Sequence, residues 1–357
     1  AELCYLDAVK DGAEFVFEAR AEQLVGDAAS GITGVVATTK DGKHVQYNAK
    51  KGVILATGDI GGNQEMVDAF CPISNRSDSN CYAPAGFNNG DGLLMGMWAG
   101  AAMSKSEAAP MIHQFTLDTL EFNLTSFIMS WLAVNANGER FMNEDVGGQP
   151  FQNQLSRLPK KTAWQIFDSK WPEQIIHMPD GHGYTTYFVP DDQAAEYETV
   201  LSGFGLGYTT QAMVDERTDV IANSLEELAE KTGLPLETMK AEIERYNELC
   251  AKGHDDDWGC DPQNLLPIKD APFFASFGTT GGNPSGGLCQ HAAICTDGRY
   301  QVLTGEKQPI AGLYAAGNTC GQRYGIQYAT PTAGNSCGSA LTSGYCAAES
   351  VIEDLKA

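Results

Sequence analysis

The spacing of apolar and polar positions divides the chain into three stretches of different texture. In the first, Cys4 to Gly12 reads as the end of a helix with glycine as its C-cap. Glu14 to Ala21 alternates with a period of two and predicts a strand, and Leu24-Val25 and Ile32 to Thr38 predict further strands. Lys40-Asp41-Gly42-Lys43 is a hairpin turn before a strand from His44 to Asn48. Gly52 to Ala56 is a continuous apolar run, of the kind buried on both faces of a parallel sheet. A helix from Gln64 to Phe70 stops at Cys71-Pro72, and a small apolar helix runs from Leu93 to Ala102. Residues 105–275 mix aromatics and charges in short amphipathic segments. There Ser224-Leu225-Glu226-Glu227 is a capping box for a helix ending at Gly233. Glu237 to Cys250 puts Met239, Ile243, Tyr246 and Cys250 on one helical face. From residue 276 the texture returns to apolar strands and small residues. Gly278 to Gly287 reads as a glycine-rich loop, Gln301 to Leu303 as part of a strand pair, and Ala340 to Ser350 as a small-residue helix.

Composition narrows the class. The 357 residues suffice for two domains with their own cores, and 43% hydrophobic with 19% charged residues is a globular balance. A net charge of −23 argues against nucleic acid and anionic membrane surfaces, both of which need a basic face. No apolar run approaches the ~18 residues of a membrane span. The ten cysteines show no Cys-x-x-Cys pair and no histidine at ligand spacing, so they are expected to be reduced, buried small residues, with no metal site. Asp255-Asp256-Asp257 fits no calcium loop and reads as a solvated acidic loop.

The chemistry concentrates in Gly312-Leu313-Tyr314-Ala315-Ala316-Gly317-Asn318, continuing through Arg323, Tyr324 and Tyr328 to Gly334-Asn335-Ser336-Cys337-Gly338. An apolar strand ends in Ala-Ala-Gly, a loop rich in glycine and tyrosine follows, and then a helix starts. Strand ends and helix starts present free backbone N–H groups, which suit an anionic or dipolar ligand. An ordinary strand-to-helix connection with turn glycines is the other reading of these residues alone.

The same stretch resembles the C-terminal signature of the fumarate reductase / flavocytochrome c / 3-ketosteroid dehydrogenase superfamily of FAD enzymes. Four further stretches resemble its motifs in the same order: Val53 to Gly58 with Gly61-Gly62-Asn63; Gly90-Asp91-Gly92 with Ala99-Gly100-Ala101; Asn137 to Glu144; and Pro272 to Ala275 with Gly286-Gly287-Leu288. The resemblance implies an α/β, Rossmann-like, three-layer FAD-binding domain interrupted by an α+β capping domain. Residues 1–104 would be the middle of the FAD-binding domain, 105–275 the cap, and 276–357 the C-terminal part of the FAD-binding domain. It implies FAD as cofactor, held by Ala21, Ala56, Thr57, Gly58, Asp91, Gly317, Asn318, Gly334, Asn335, Ser336 and Cys337. The sequence contains no Gly-x-Gly-x-x-Gly after a strand; Gly203-Phe204-Gly205-Leu206-Gly207 has the wrong spacing and flanks. The expectation is therefore an N-terminally truncated FAD-binding domain that binds FAD poorly by itself.

The resemblance also locates what is missing. Fumarate-type members hold two carboxylates with arginine and histidine and protonate through a further arginine. Those positions fall at Gly148, Leu124, Phe127, Pro331 and Asn283, with His113 a loose match. Without paired cations a site cannot offset the desolvation of two carboxylates. The tyrosines instead resemble those of the ketosteroid dehydrogenase branch. The expected activity is reduction or formation of an activated C=C bond in a small, largely apolar or aromatic enone, enoate or steroid-like compound. Tyr328 or Tyr324 would be the acid and Arg323 a partner lowering the tyrosine pKa. His113, Asn283 and Gly282 would orient the substrate, and Arg140 would be a structural clamp within the cap. The expected partners are a small-molecule substrate and an external electron donor or acceptor. The alternatives are a non-catalytic flavoprotein fragment and a fumarate-reductase-like enzyme.

Overall fold

The computed structural model describes residues 2–76, 79–80, 87–105, 108, 110–114, 130–146, 149–175, 186–201, 207–279, 285–321, 323–324, 328 and 334–354. After α1 (Glu2–Lys10), an antiparallel meander is built from β1 (Ala19–Asp27), β2 (Gly31–Thr39) and β3 (His44–Asn48). β3 begins and ends as the sequence predicts. β1 does not: Phe15, Val16 and Phe17 precede it and are exposed, and Glu18 takes a left-handed φ of 54° that interrupts extended backbone. Their alternation is met by Tyr5 of α1, whose ring lies 4.6 Å from Phe15. Leu24-Val25 continues the same strand rather than starting another.

β4 (Val53–Leu55) is followed by α2 (Gln64–Phe70), whose Asn63 side chain accepts the Met66 N–H at 3.2 Å. β5 (Ser79–Asn80) precedes α3 (Asp91–Trp98). α3 starts two residues earlier than the apolar pattern suggests, because Gly90 at φ 75° forms its N-cap. β6 (Pro110–Gln114), β7 (Leu132–Asn135), α4 (Gln149–Arg157), β8 (Thr162–Phe167) and α5 (Trp171–Gln174) follow. Then come β9 (Thr186–Phe188), α6 (Ala194–Leu201), β10 (Gly207–Thr209), α7 (Gln211–Arg217) and β11 (Val220–Ala222).

α8 (Leu225–Thr232) carries the predicted capping box: Ser224 Oγ accepts the Glu227 N–H at 3.1 Å, while the Glu227 carboxylate turns back to the Asn223 N–H at 2.7 Å. Gly233 at φ 73° ends it. α9 (Leu236–Lys252) buries Met239, Ile243, Tyr246 and Leu249; Cys250, expected on that face, is only half-buried.

The glycine-rich stretch read as a loop contributes to two strands, β12 (Phe273–Thr279) and β13 (Ser285–Gln290). β12 is central in the antiparallel order β11-β12-β8-β7, and β13 pairs with β5 and β6. β14 (Gln301–Leu303), β15 (Pro309–Ala315) and α10 (Asn335–Asp354) complete the chain, with β15 antiparallel to β14 and parallel to β4. α10 is longer than its small-residue signal by about a turn at each end.

Apolar burial separates accordingly. One core gathers Leu24, Ile32, Leu55, Ile60, Leu93, Ile294 and Leu313. Another gathers Leu132, Ile166, Leu228, Met239, Ile243, Tyr246 and Phe273. Asp255, read as part of a solvated loop, is buried at 2% exposure within the stretch that forms the second core, while Asp256 and Asp257 pair on the surface with Lys252 and Arg245. Among the described residues no helix is long and apolar enough to cross a membrane.

Candidate active site

Two parallel strands deliver the site. Leu313, Tyr314 and Ala315 of β15 lie opposite Val53, Ile54 and Leu55 of β4, and the Ala316 N–H reaches the Leu55 carbonyl at 2.9 Å. The chain therefore leaves the sheet twice at the same end, as Ala56-Thr57-Gly58 and as Ala316-Gly317-Asn318. The carboxyl ends of parallel strands are where open α/β sheets bind ligands. Thr319 Oγ1 ties the two exits together, donating to the Gly58 carbonyl at 3.0 Å and standing 3.4 Å from Thr57 Oγ1. Thr57 Oγ1 also accepts the Gly92 N–H at 3.1 Å, anchoring α3. The Gly317 N–H donates to Ser343 Oγ at 2.9 Å, anchoring α10. Gly58 needs its glycine twice over: φ is 84°, and a Cβ would stand 2.5 Å from Asn88 Oδ1.

A cavity of about 630 Å³ opens at the start of α10, lined by Tyr300, Arg323, Tyr324, Gly334, Asn335, Gly338, Ser339 and Thr342. Gly334 takes φ 73°, and the 20-residue helix then begins with no acidic residue in its first turn. Its N–H groups and positive end remain available to a ligand. Of the predicted cofactor residues, Gly334 and Asn335 line the cavity; Ser336 and Cys337 share the helical turn without lining it. Asp91 is committed elsewhere, since Arg20 grips both of its oxygens at 2.7 and 3.0 Å. Ala21 sits in β1 opposite Ala37, beside a bulge.

Arg323 donates from Nη2 to Asn318 Oδ1 at 2.8 Å, and its guanidinium lies 5.6 Å from the centre of the Tyr324 ring. Its Nη1 has no partner among the described residues. Tyr324 faces the cavity, and Asn335 Nδ2 stands 3.4 Å from its hydroxyl. Tyr328 lies behind, fully buried, with its hydroxyl directed toward Ser336 and Tyr324. Its pKa is a correction to the sequence expectation: burial pushes this phenol well above its usual value, and no cation lowers it. The two tyrosines are thus unequal, one at the cavity wall and one in the interior. The His113 backbone pairs with Gly286 in the β6–β13 ladder. Its side chain, Gly282 and Asn283 lie outside the described residues, as do Leu124, Phe127, Gly148 and Pro331.

Sequence reasoning passed over two residues here. His291 contacts both tyrosines and stands 3.1 Å from Cys289 Sγ through Nε2, so one cysteine does have a histidine partner. The signal was their i, i+2 spacing at the end of a strand, which sends both side chains to one side. Burial, with a smaller contribution from Arg323, drives the His291 pKa down to about 3, so the imidazole is neutral. Asp59, directly after Gly58, is fully buried and accepts the Gly61 N–H at 2.7 Å. Burial raises its pKa to about 6 despite that bond and those from Asn318 and Gln290.

A raised carboxyl pKa stabilises the fold only while the group is protonated. Ionising Asp59 therefore costs stability as pH rises from its ordinary value of 3.8 through about 6. At ~1.4 kcal/mol per unit this is on the order of 3 kcal/mol. Urea midpoints measured across that window should show the Asp59→Asn variant gaining on wild type as pH rises; parallel curves would refute the assignment.

Comparison with known proteins gives four findings. Residues 3–337 match the family described as FAD binding domain. The chain is 29% identical to the 4-oxocyclohexanecarboxylate 2-dehydrogenase of Sinomonas cyclohexanicum, over 96% of this chain and 58% of that protein. It is 30% identical to the 3-oxosteroid 1-dehydrogenase of Mycolicibacterium smegmatis, over 84% of this chain and 52% of that one. The fold matches the crystal structure of a 3-ketosteroid-Δ4-(5α)-dehydrogenase from Rhodococcus jostii in complex with 4-androstene-3,17-dione, with a TM-score of 0.63 at 24% identity, covering 97% of this chain and 62% of that one. The chain thus spans little more than half the length of the two relatives.

Proposed function

This chain belongs to the FAD binding domain family, and on that footing we propose that it forms the catalytic half-site of an FAD-dependent oxidoreductase acting on CH–CH or C=C bonds of a small, largely apolar or aromatic enone or enoate. The observation that carries the proposal is the pairing of Tyr324 with the start of α10 on one cavity wall. FAD is the cofactor, and the residues present fit its ring end. Gly58 and Gly317 take left-handed φ values of 84° and 63° where the chain leaves each strand, and the first turn of α10 offers N–H donors to an electron-rich edge. When bound, FAD supplies or takes up the hydride. Ala56, Thr57, Gly58, Gly317, Asn318, Gly334 and Asn335 would hold it, with Ala21, Asp91, Ser336 and Cys337 further out.

The proton is the business of this chain's own side chains. Tyr324 Oη would hold it at the cavity wall, with Asn335 Nδ2 orienting the hydroxyl and Arg323 lying against the ring. Tyr328 and His291 close the space behind and exclude water. His113, Gly282 and Asn283 would orient the substrate. Residues 105–275 would act as an inserted α+β cap over a FAD-binding unit formed by 1–104 and 276–357. The separation of the two cores supports that division. The phosphate-binding glycine loop is not among these 357 residues.

Among the described residues lining the cavity the one cation is Arg323. That argues for one carbonyl or carboxylate oxygen, since a diacid needs cations at both ends. The named relatives act, by their names, on an oxocyclohexanecarboxylate and an oxosteroid. As a test, dye-reduced, FAD-loaded full-length protein is mixed with a cyclic enone, a phenyl-substituted enoate and fumarate. Rapid flavin reoxidation by either of the first two, with fumarate inert, is the expected outcome. Reoxidation by fumarate alone would overturn the substrate class.

A further inference from the structure

The chemistry proposed above leaves one polar ring beside Tyr324 without a function of its own. His291 packs against Tyr328 at 4.8 Å between ring centres and 19° between planes, a stacked pair. It meets Tyr324 at 4.9 Å and 58°, and the two tyrosines lie 4.4 Å apart. The three rings therefore form one closed cluster, and of the three only Tyr324 lines the cavity. The hydroxyl of Tyr324 has a long contact, 3.4 Å to Asn335 Nδ2, which is too weak to fix the side chain alone. Its orientation is set by what its ring touches: the Arg323 guanidinium on one side, and Tyr328 with His291 on the other.

We infer that His291 is a positioning residue for Tyr324. Its uncharged imidazole, anchored through Nε2 by the Cys289 thiol, holds the three-ring cluster that fixes where the Tyr324 hydroxyl stands in the cavity. The anchor is specific. Burial raises the Cys289 thiol pKa far above its usual value, so the sulfur stays a protonated thiol, and it stands within hydrogen-bond distance of His291 Nε2 at 3.1 Å. A charged imidazole would meet the Arg323 guanidinium as a like charge, so the cluster is built for the neutral ring. Aromatic pairs at these separations hold preferred angles, and a displaced donor loses its effect over distances of about 1 Å.

The inference rests on the reading of Tyr324 as the proton donor, and its test separates the two. In FAD-loaded full-length protein, His291→Ala should lower kcat by roughly 10- to 100-fold with KM nearly unchanged. His291→Phe, which keeps the stack, should recover most of the loss. Wild-type kcat in His291→Ala, or a Phe variant as impaired as the Ala variant, would overturn the inference. A second readout needs neither flavin nor turnover. In the unloaded chain, His291→Ala should change the near-ultraviolet circular dichroism of the tyrosines and open Cys289 to alkylation located by mass spectrometry, while His291→Phe should leave the tyrosine signal close to wild type. An unchanged tyrosine signal and a protected Cys289 in His291→Ala would overturn it, even if the turnover reading had failed separately.

Discussion

Replacing Tyr324 by Phe should lower kcat by about 10²-fold or more, the ordinary contribution of a positioned general acid, with little change in flavin binding. The expectation comes from position rather than residue type. Tyr324 stands at the wall of the cavity with Arg323 and Asn335 around it, whereas Tyr328 is fully buried with a hydroxyl that reaches no solvent. Removing the Tyr328 hydroxyl should accordingly cost less in turnover than removing that of Tyr324. Steady-state kinetics on both variants, with KM and kcat resolved, checks the order. Equal losses would mean that the two phenols act as a unit.

The second large effect is on stability and lies beside the second core. Arg140 is 2% exposed at its side chain and binds Glu144 Oε2 at 2.7 Å and Asp255 Oδ2 at 2.8 Å, both carboxylates being fully buried. Its guanidinium also lies 5.1 Å from the centre of the Tyr246 ring on α9. Glu144 in turn accepts the Ala133 N–H of β7 at 3.0 Å. Burial raises the Asp255 pKa, but Arg140 and the N–H groups of Cys260 and Trp258 outweigh it and hold the carboxylate below its usual range. Arg140→Met leaves two buried carboxylates facing each other and should destabilise the protein by about 3–5 kcal/mol. Arg140→Lys should rescue little, because a lysine cannot grip two carboxylates as a planar fork does. Chemical denaturation followed by tryptophan fluorescence measures both. A loss below 1 kcal/mol (~fivefold in the folding constant) for the Met variant would contradict the clamp.

The contrast between these two residues shows what sequence can carry. β3 and α2 were readable to the residue because their stops are local: Asp41-Gly42 turns the chain before one, and Asn63 and Cys71-Pro72 bracket the other. Arg140 was readable as a clamp through its motif, but Asp255 was misread as solvated because its partner lies 115 residues away. The start of β1 was misread because alternation in Glu14 to Phe17 reports a two-faced segment without saying what covers either face. At the site, Gly58, Gly317 and Gly334 were visible as glycine turns at strand and helix ends. The unequal burial of Tyr324 and Tyr328, the neutral His291 and the buried Asp59 depend on contacts between segments that no spacing rule encodes.

The most direct test of the account follows a single turnover. FAD-loaded full-length protein is reduced without oxygen, mixed with a reactive cyclic enone, and the return of oxidised flavin absorbance is timed in water and in heavy water for wild type and Tyr324→Phe. A wild-type rate that slows in heavy water, and a Tyr324→Phe rate at least ~10²-fold lower, is the expected pair of results. Reoxidation of the Tyr324→Phe protein at the wild-type rate would contradict the assignment of the proton to this cavity wall.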